Sequence, residues 1–346
     1  MAGPNILDIA RKAGVGKSTV ARVLSGEGPV SADARERVLD AAQALKYRTN
    51  QAARSLRKGE NRLLGVVVPD SASVGFLSHH VGAQKMEGAA RGAKRLGYDL
   101  QIFIEDLGDA WSLRRLATEK SVRGFLFFGG VERPVLDMLK QYGIPWSSVN
   151  WCYPDRPRDP HCWTDFAHAG RTLISHLIAR GCKRILAFDW LTPDYGPFDR
   201  GIRDGWSAHG LPERNLELYT DRHFGWGPEA NALLERALDG KRRPDGLLLS
   251  REEAARDAYK LLRARGLEPG VDVAVATFDD LEIARNLEPQ CTSYRQPFVE
   301  MAATAIEELD RVLTHGAEAA PICRNVPGEL LVRASSQNFS ARKEEV

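Results

Sequence analysis

Apolar residues recur at helical spacing from the start of this chain. Ile6, Ile9, Ala10 and Ala13 share one helical face. Asn5 is positioned to cap that helix, Asp8 to reach back as its capping-box partner, and Gly14 to stop it. A second helix is predicted from Lys17 to Ser25, with Val20, Val23 and Leu24 on its apolar side. The turn Gly26-Glu27-Gly28-Pro29 separates it from a third helix. Ser31 caps that helix, and Ala34, Val38, Ala41, Ala42 and Leu45 form its apolar side. Residues 48–61 are polar and basic and lack apolar anchors, which reads as a linker with helix propensity from Asn50 to Lys58.

From Leu63 onward the pattern changes to strands alternating with helices. Apolar runs predict strands at Leu63–Pro69, Leu100–Glu105, Gly124–Phe128, Trp146–Asn150, Arg184–Phe188, Gly246–Leu249 and Val271–Phe278. Amphipathic helices are predicted between them, at Gln84–Leu96, Ala167–Arg180, Pro228–Leu238 and Glu252–Arg265 among others. Near-continuous apolar strands alternating with helices imply doubly wound parallel sheets covered on both faces. The polar stretch Cys152–Cys162, which contains three prolines, divides this α/β body into two lobes. The tail over residues 337–346 is polar.

Composition narrows the class. A chain of 346 residues is long enough for two or three globular units, and 43% hydrophobic with 27% charged residues is ordinary for a folded protein. The five cysteines are scattered without a C-x-x-C pair, so neither a zinc site nor a disulfide framework is expected, and a reduced, cytoplasmic setting fits. Met1 to Ala10 does not read as a leader, and no run approaches the ~18 apolar residues of a membrane helix, so no membrane partner is expected. The net charge of +2 is unevenly placed. Residues 1–60 hold eleven bases against six acids, which leaves the rest of the chain at −3. A basic head on a slightly acidic body points to a polyanion partner for the head.

One motif misleads. Gly14-Val15-Gly16-Lys17-Ser18-Thr19 imitates a phosphate-binding loop, but the pattern requires glycine where Arg11 stands, and it must follow a buried strand rather than an amphipathic helix. No G-x-G-x-x-G follows a strand and no nucleophile elbow is present, so no enzyme and no cofactor are expected.

Asp8 through Leu24 closely resembles the helix-turn-helix of lactose-repressor (LacI) family regulators. Val30-Ser31, Arg35-Glu36-Arg37-Val38, Tyr47, Asn50 and Ala53-Arg54-Ser55-Leu56-Arg57 extend the likeness. It continues through Gly65–Asp70, Gly205-Trp206, Arg243-Pro244-Asp245, Phe278-Asp279-Asp280 and Tyr294-Arg295-Gln296-Pro297, covering roughly residues 5–336. The resemblance implies a helix-turn-helix domain over residues 1–47, a hinge helix over 48–61, and a periplasmic-binding-protein-like body over 62–336. Lobe 1 then comprises about 62–160 with 292–322, and lobe 2 about 163–290 with 324–336. It further implies a homodimer on a palindromic double-stranded DNA operator, controlled by a small-molecule effector, a carbohydrate or derivative. No leucine heptad follows residue 336, so a dimer rather than a tetramer is expected. A sugar-binding protein or sugar-metabolising enzyme on the same body is the alternative.

By the same resemblance Lys17 and Ser18 read base edges, Arg22 donates to a guanine, and Thr19 bonds a phosphate. Tyr47, Asn50, Ala53 and Arg54 join them, and Leu56 wedges into a minor-groove step and bends the duplex. The chain departs from the family at Gly16, Ala21, Ser25 and Thr49, which removes a helix cap and phosphate contacts and loosens the hinge.

For the effector, the resemblance places Asp279 in the cleft between the lobes, with Phe278, Trp190, Trp163 and Trp151 as stacking walls or core. Leu249-Ser250-Arg251 stands where the family has Ala-Asn-Asp, and Ile202 stands where it has an arginine, with Arg200 and Arg203 flanking. Ser250 and these arginines join the expected set, and an anionic effector held by Arg251 with Arg200 or Arg203 follows. The arginines read equally as solvated, or as paired with Glu252 or Asp204. Ser71–Gln84 is longer than usual. Its His79-His80 pair is not expected to hold a metal, because adjacent side chains point apart.

Overall fold

The computed structural model describes residues 5–25, 28–45, 62–69, 80–105, 122–150, 160–189, 198–220, 227–316, 323–337 and 339. The chain divides into two compact units, Met1–Asn61 and Arg62–Val346.

In the first unit, α1 spans Ile6–Ala13, α2 Lys17–Ser25 and α3 Ala32–Ala44. Asn5 Oδ1 accepts the N–H groups of Leu7 at 2.8 Å and Asp8 at 3.3 Å, and Asp8 accepts the N–H of Asn5 at 2.9 Å, which completes the capping box. Gly14 ends α1 in the left-handed region at φ 64°, a conformation open to glycine at little cost. Ser31 caps α3 by accepting the Ala34 N–H at 3.3 Å. Ile9, Ala13, Val20, Val23, Val38 and Ala41 form the buried centre of this head.

The second unit contains two six-stranded sheets. The first is built from β1 (Leu63–Pro69), β2 (Asp99–Glu105), β3 (Phe125–Phe127), β4 (Trp146–Val149), β5 (His161–Trp163) and β11 (Cys323–Asn325). Its order is β11-β5-β4-β3-β1-β2, and all its pairs are parallel. The second is built from β6 (Ile185–Asp189), β7 (Leu216–Thr220), β8 (Gly246–Leu249), β9 (Ala274–Asp279), β10 (Thr292–Arg295) and β12 (Glu329–Leu331). Its order is β12-β10-β9-β8-β6-β7, parallel except for the β10–β12 pair. Strand periodicity sorts the side chains to two faces. Val66, Val68, Leu126 and Phe128 pack on one side of the first sheet, and Val67, Phe125 and Phe127 on the other. In the second sheet, Leu186, Phe188, Leu247 and Leu249 oppose Ile185, Ala187, Leu248 and Phe278 in the same way.

Helices cover these faces: α4 (His80–Leu96), α5 (Arg133–Gln141), α6 (Phe166–Ala179), α7 (Phe198–Ala208), α8 (Pro228–Asp239), α9 (Glu252–Arg263), α10 (Glu282–Asn286), α11 (Phe298–His315) and α12 (Ala334–Gln337). Small residues let α4 and α11 touch. A Cβ at Gly88 would lie 2.1 Å from the Val299 carbonyl oxygen. Likewise α6 and α7 meet where a Cβ at Gly201 would lie 2.0 Å from the Ala167 oxygen.

The chain passes between lobes after β5, after β10 and after β11. Two expectations are corrected here. Thr292–Arg295 belongs to the second lobe, because β10 pairs with β9 in parallel register, so the return to the first lobe comes after Arg295. The polar stretch ending at Cys162 does not mark the lobe boundary throughout, since His161–Trp163 forms a strand of the first sheet with His161 and Cys162 buried. Among the described residues no helix is long and apolar enough to cross a membrane.

Candidate nucleic-acid interface and effector cleft

On α2, burial divides the helix cleanly. Val20 and Val23 are sealed in the head core, while Lys17, Ser18, Ala21 and Arg22 share the exposed side and Thr19 sits at its margin. Gly16 supplies no side-chain cap, but its carbonyl accepts the N–H groups of Thr19 at 2.9 Å and Val20 at 3.1 Å and so opens the helix. Arg37 braces the preceding turn by donating to the Ala13 carbonyl at 3.3 Å while pairing with Asp33 at 3.0 Å. The head thus presents one lysine, one serine and one arginine on a single rigid face. Tyr47, Asn50, Ala53, Arg54 and Leu56 lie outside the described residues.

In each lobe the strand order reverses beside the first strand, between β1 and β3 and between β6 and β8. Doubly wound sheets bind ligands outside the carboxyl ends of their strands at that switch. Several contacts bring the two carboxyl edges together. Leu281, which follows β9, packs into the core cluster of the first lobe. The His80 imidazole at the start of α4 bonds the Glu282 carboxylate on α10. Lys85 on α4 interacts electrostatically with Asp279 at the end of β9.

Asp279 ends β9 at the carboxyl edge of the second sheet. It and Asp280 adopt positive φ, 103° and 58°, which turns the chain sharply off the end of β9. Asp279 Oδ1 accepts from Gln296 Nε2 at 2.5 Å. Burial pushes its carboxyl up to about 6, against the Gln296 hydrogen bond and the charges of Arg251 and Lys85, while Glu253 adds to the rise. Burial lowers the Lys85 ammonium to about 8, and Asp279 opposes that fall. Glu252 is raised to about 8 by burial and then by Asp279, against hydrogen bonds from Ser293, Ala284 and Leu281. Asp280 turns the other way, with its side chain sealed among Arg333 at 2.6 Å, Arg295 at 2.8 Å and Arg285 at 3.1 Å.

The structure thus gathers Asp279 and Arg251, with Ser250 buried beside them at the end of β8. It does not gather the rest of the expected set. Phe278 is corrected from pocket wall to core. It is 0% exposed and stacks on Tyr294 at 5.9 Å between Phe166 and Phe198, because alternation along β9 sends it to the face covered by α6 and α7. Trp163 is partly buried, with its ring 6.3 Å from that of Phe166. Arg200 and Arg203 lie on the exposed side of α7, opposite the buried face of Phe198, Gly201, Ile202, Gly205 and Trp206. Asp204 pairs with Arg171 rather than with either of them. Trp190, Trp151 and His79 lie outside the described residues. Sequence reasoning missed Lys85, Gln296, Asn150 and the buried Asp189 at the end of β6, and named Glu252 only as a partner for the arginines. Of these, only Gln296 carried a sequence signal, through the Tyr294-Arg295-Gln296-Pro297 run.

Comparison with known proteins separates head from body. Residues 5–50 match the family described as bacterial regulatory proteins, lacI family, and residues 174–336 match the periplasmic binding protein-like domain. An HTH-type transcriptional regulator from the aml 5' region of Streptomyces limosus is 30% identical over 330 residues, which is 90% of this chain and 89% of that protein. The chain belongs to the lacI family of bacterial regulatory proteins. As a LacI-family member it is a transcriptional regulator with a helix-turn-helix head and two parallel-sheet lobes. Among solved structures, the lac repressor dimer bound to operator and the anti-inducer ONPF superposes with a TM-score of 0.77 at 20% identity, covering 96% of this chain and 99% of that one. A CelR–cellobiose complex gives a TM-score of 0.68 at 25% identity, again over 96% and 99%.

Proposed function

We propose that this LacI-family regulator is a cytoplasmic, homodimeric repressor that binds a palindromic operator and releases or tightens it when a small carbohydrate or derivative enters the cleft. The exposed Lys17, Ser18 and Arg22 on one side of α2 carry the reading. They sit opposite the head core, so they can enter the major groove without disturbing it. Lys17 and Ser18 read base edges, Arg22 donates to a guanine, and Thr19 contacts a phosphate. Tyr47, Asn50, Ala53 and Arg54 join them in contacting DNA, and Leu56 is the minor-groove wedge. Dimerisation on DNA is supported by the lac repressor dimer, and a carbohydrate ligand by the CelR complex.

The cleft group around Asp279 binds rather than catalyses. Effector binding changes the relation of the lobes, and a coupling of ~1–3 kcal/mol changes operator affinity ~5–150-fold. The test is selection from random duplex DNA by the purified protein. Enrichment of a palindrome with half-sites about one helical turn apart is expected. Enrichment of nothing beyond salt-labile, sequence-blind binding would overturn the reading.

A further inference from the structure

One turn of chain is anchored in both lobes. Leu281 is the N-cap of α10, and Ala284 lies within that helix. Ala284 is buried in a core cluster of the second lobe. Leu281, 4% exposed, is buried in a cluster of the first, together with Val66, Val68 and Phe128 of the first sheet. The backbone sets this course. Asp279 and Asp280 turn the chain off the end of β9 at φ 103° and 58°, values that side-chain-bearing residues adopt at a cost and keep only where their surroundings hold them.

The surroundings that hold them belong to the second lobe. The sealed Asp280 carboxylate is gripped by Arg333 at 2.6 Å, Arg295 at 2.8 Å and Arg285 at 3.1 Å. The Asp280 N–H donates to Ser293 Oγ at 3.0 Å. Glu252 accepts the N–H groups of Leu281 at 2.8 Å and Ala284 at 3.2 Å. The main chain of Leu281 is therefore fixed in one lobe while its side chain is buried in the other. A second tie lies one residue further on, where the Glu282 carboxylate bonds the His80 imidazole at the start of α4. Both members of that pair are exposed, so it contributes little beyond alignment. The buried leucine supplies the greater part of the hold.

We infer that Leu281, seconded by the His80–Glu282 pair, is a latch that joins the two lobes in the ligand-free protein. This side of the body is a fixed point, and the lobes turn about it rather than part along their whole length. Asp279, the residue expected to meet the effector, stands two positions before Leu281, so a ligand that shifts Asp279 pulls on the latch. The latch stands whether or not that ligand is a sugar.

Hydrogen–deuterium exchange of the full-length protein, without sugar or DNA, tests the inference. Wild type is compared with Leu281→Ala, Glu282→Gln, His80→Gln and the Glu282→Gln/His80→Gln double variant. Leu262→Ala, a fully buried leucine of α9 in the second lobe, is the control. Leu281→Ala is expected to speed exchange roughly tenfold in α10 and also across the junction, in α4 and β1 of the first lobe. Leu262→Ala should speed exchange in the second lobe and leave α4 within about twofold of wild type. Each surface variant should speed α4 by about twofold, and the double variant no further, because both substitutions remove one bond. Should Leu281→Ala fail to fold, Leu281→Val, one carbon smaller, is expected to give the same pattern at lower amplitude. Exchange that rises in α10 alone, or that rises alike in both lobes of the Leu281 and Leu262 variants, would overturn the latch. Operator selection remains the separate measure of the regulator.

Discussion

Glu252 Oε2 accepts the backbone N–H of Leu281 at 2.8 Å and that of Ala284 at 3.2 Å, so the carboxyl group at the start of α9 caps the first turn of α10. Its other oxygen accepts from Ser293 at 2.9 Å, which ties β10 into the same junction. Glu252→Ala orphans all three donors. At ~1–3 kcal/mol for each buried donor left unsatisfied, a loss of roughly 3 kcal/mol is expected. Glu252→Gln keeps an acceptor oxygen and should lose less. Urea denaturation of the three proteins checks the order, and an alanine variant as stable as wild type would contradict it.

The glycines at helix contacts make a sharper prediction. Gly201→Ala and Gly88→Ala each drive a methyl into a backbone carbonyl, at 2.0 Å from Ala167 and 2.1 Å from Val299. Alanine normally favours a helix by ~1 kcal/mol over glycine. Here the clash outweighs that gain, and a net loss of ~2–3 kcal/mol or more is expected. Gly227→Ala, with nothing within 4 Å of the added methyl, is the clash-free control and should lose only the ~0.5–1 kcal/mol that alanine costs against glycine at the N-cap of α8. Melting temperatures of the three variants would show the contrast.

His176 predicts a pH effect. It shares a 2.8 Å hydrogen bond with Ser336, and burial, then Arg180, lower it from 6.5 to about 4. A base depressed in the folded state contributes stability above pH 6.5, and that contribution is lost as the pH falls through 4. The ceiling is ~3 kcal/mol, and partial exposure brings the expectation to ~2 kcal/mol. Asp279 works the other way, because its raised carboxyl stabilises at low pH and loses that contribution as the pH rises through about 6. The comparison is therefore wild type against His176→Gln at pH 7 and pH 4.5. The variant should lose less stability on acidification, and parallel losses would argue that His176 is not the cause.

Within the head, Val20→Ala and Lys17→Ala should part company. Val20 is 0% exposed in a core of six buried side chains, so its truncation should destabilise the head by ~1–2 kcal/mol and weaken all DNA binding alike. Lys17 is exposed, so Lys17→Ala should leave the fold intact and alter the preferred bases. Circular dichroism melts and duplex selection would separate the two effects.

The head was legible because its punctuation is written in side chains. Asn5, Gly14 and Ser31 mark the caps, and the apolar spacing marks the core. The central strands were legible because both faces are buried, as in Val66-Val67-Val68. Leu216–Thr220 and Thr292–Arg295 escaped notice because they are short and carry polar residues. The site was less readable. Phe278 and Asp279 are neighbours, yet alternation buries one in the core and a positive φ turns the other off the end of β9. Arg200 and Arg203 flank Ile202, but single-residue and two-residue offsets on a helix rotate a side chain by ~100° or more. Lys85 looks like any helix-surface lysine until α11, more than 200 residues later, covers it. Glu252 finds its partners from 29 to 41 residues away.

The repeated passage of the chain between lobes bears on how the body is made. Each sheet draws a strand from the far end of the sequence, β11 for the first and β12 for the second. During synthesis, residues 63–163 emerge with a sheet edge that β11 will not cover until residue 325 has left the ribosome. The second sheet waits until residue 331. Neither sheet is therefore complete before its late strand arrives, and the two are completed within a few residues of each other, after α11 has carried the chain from one to the other.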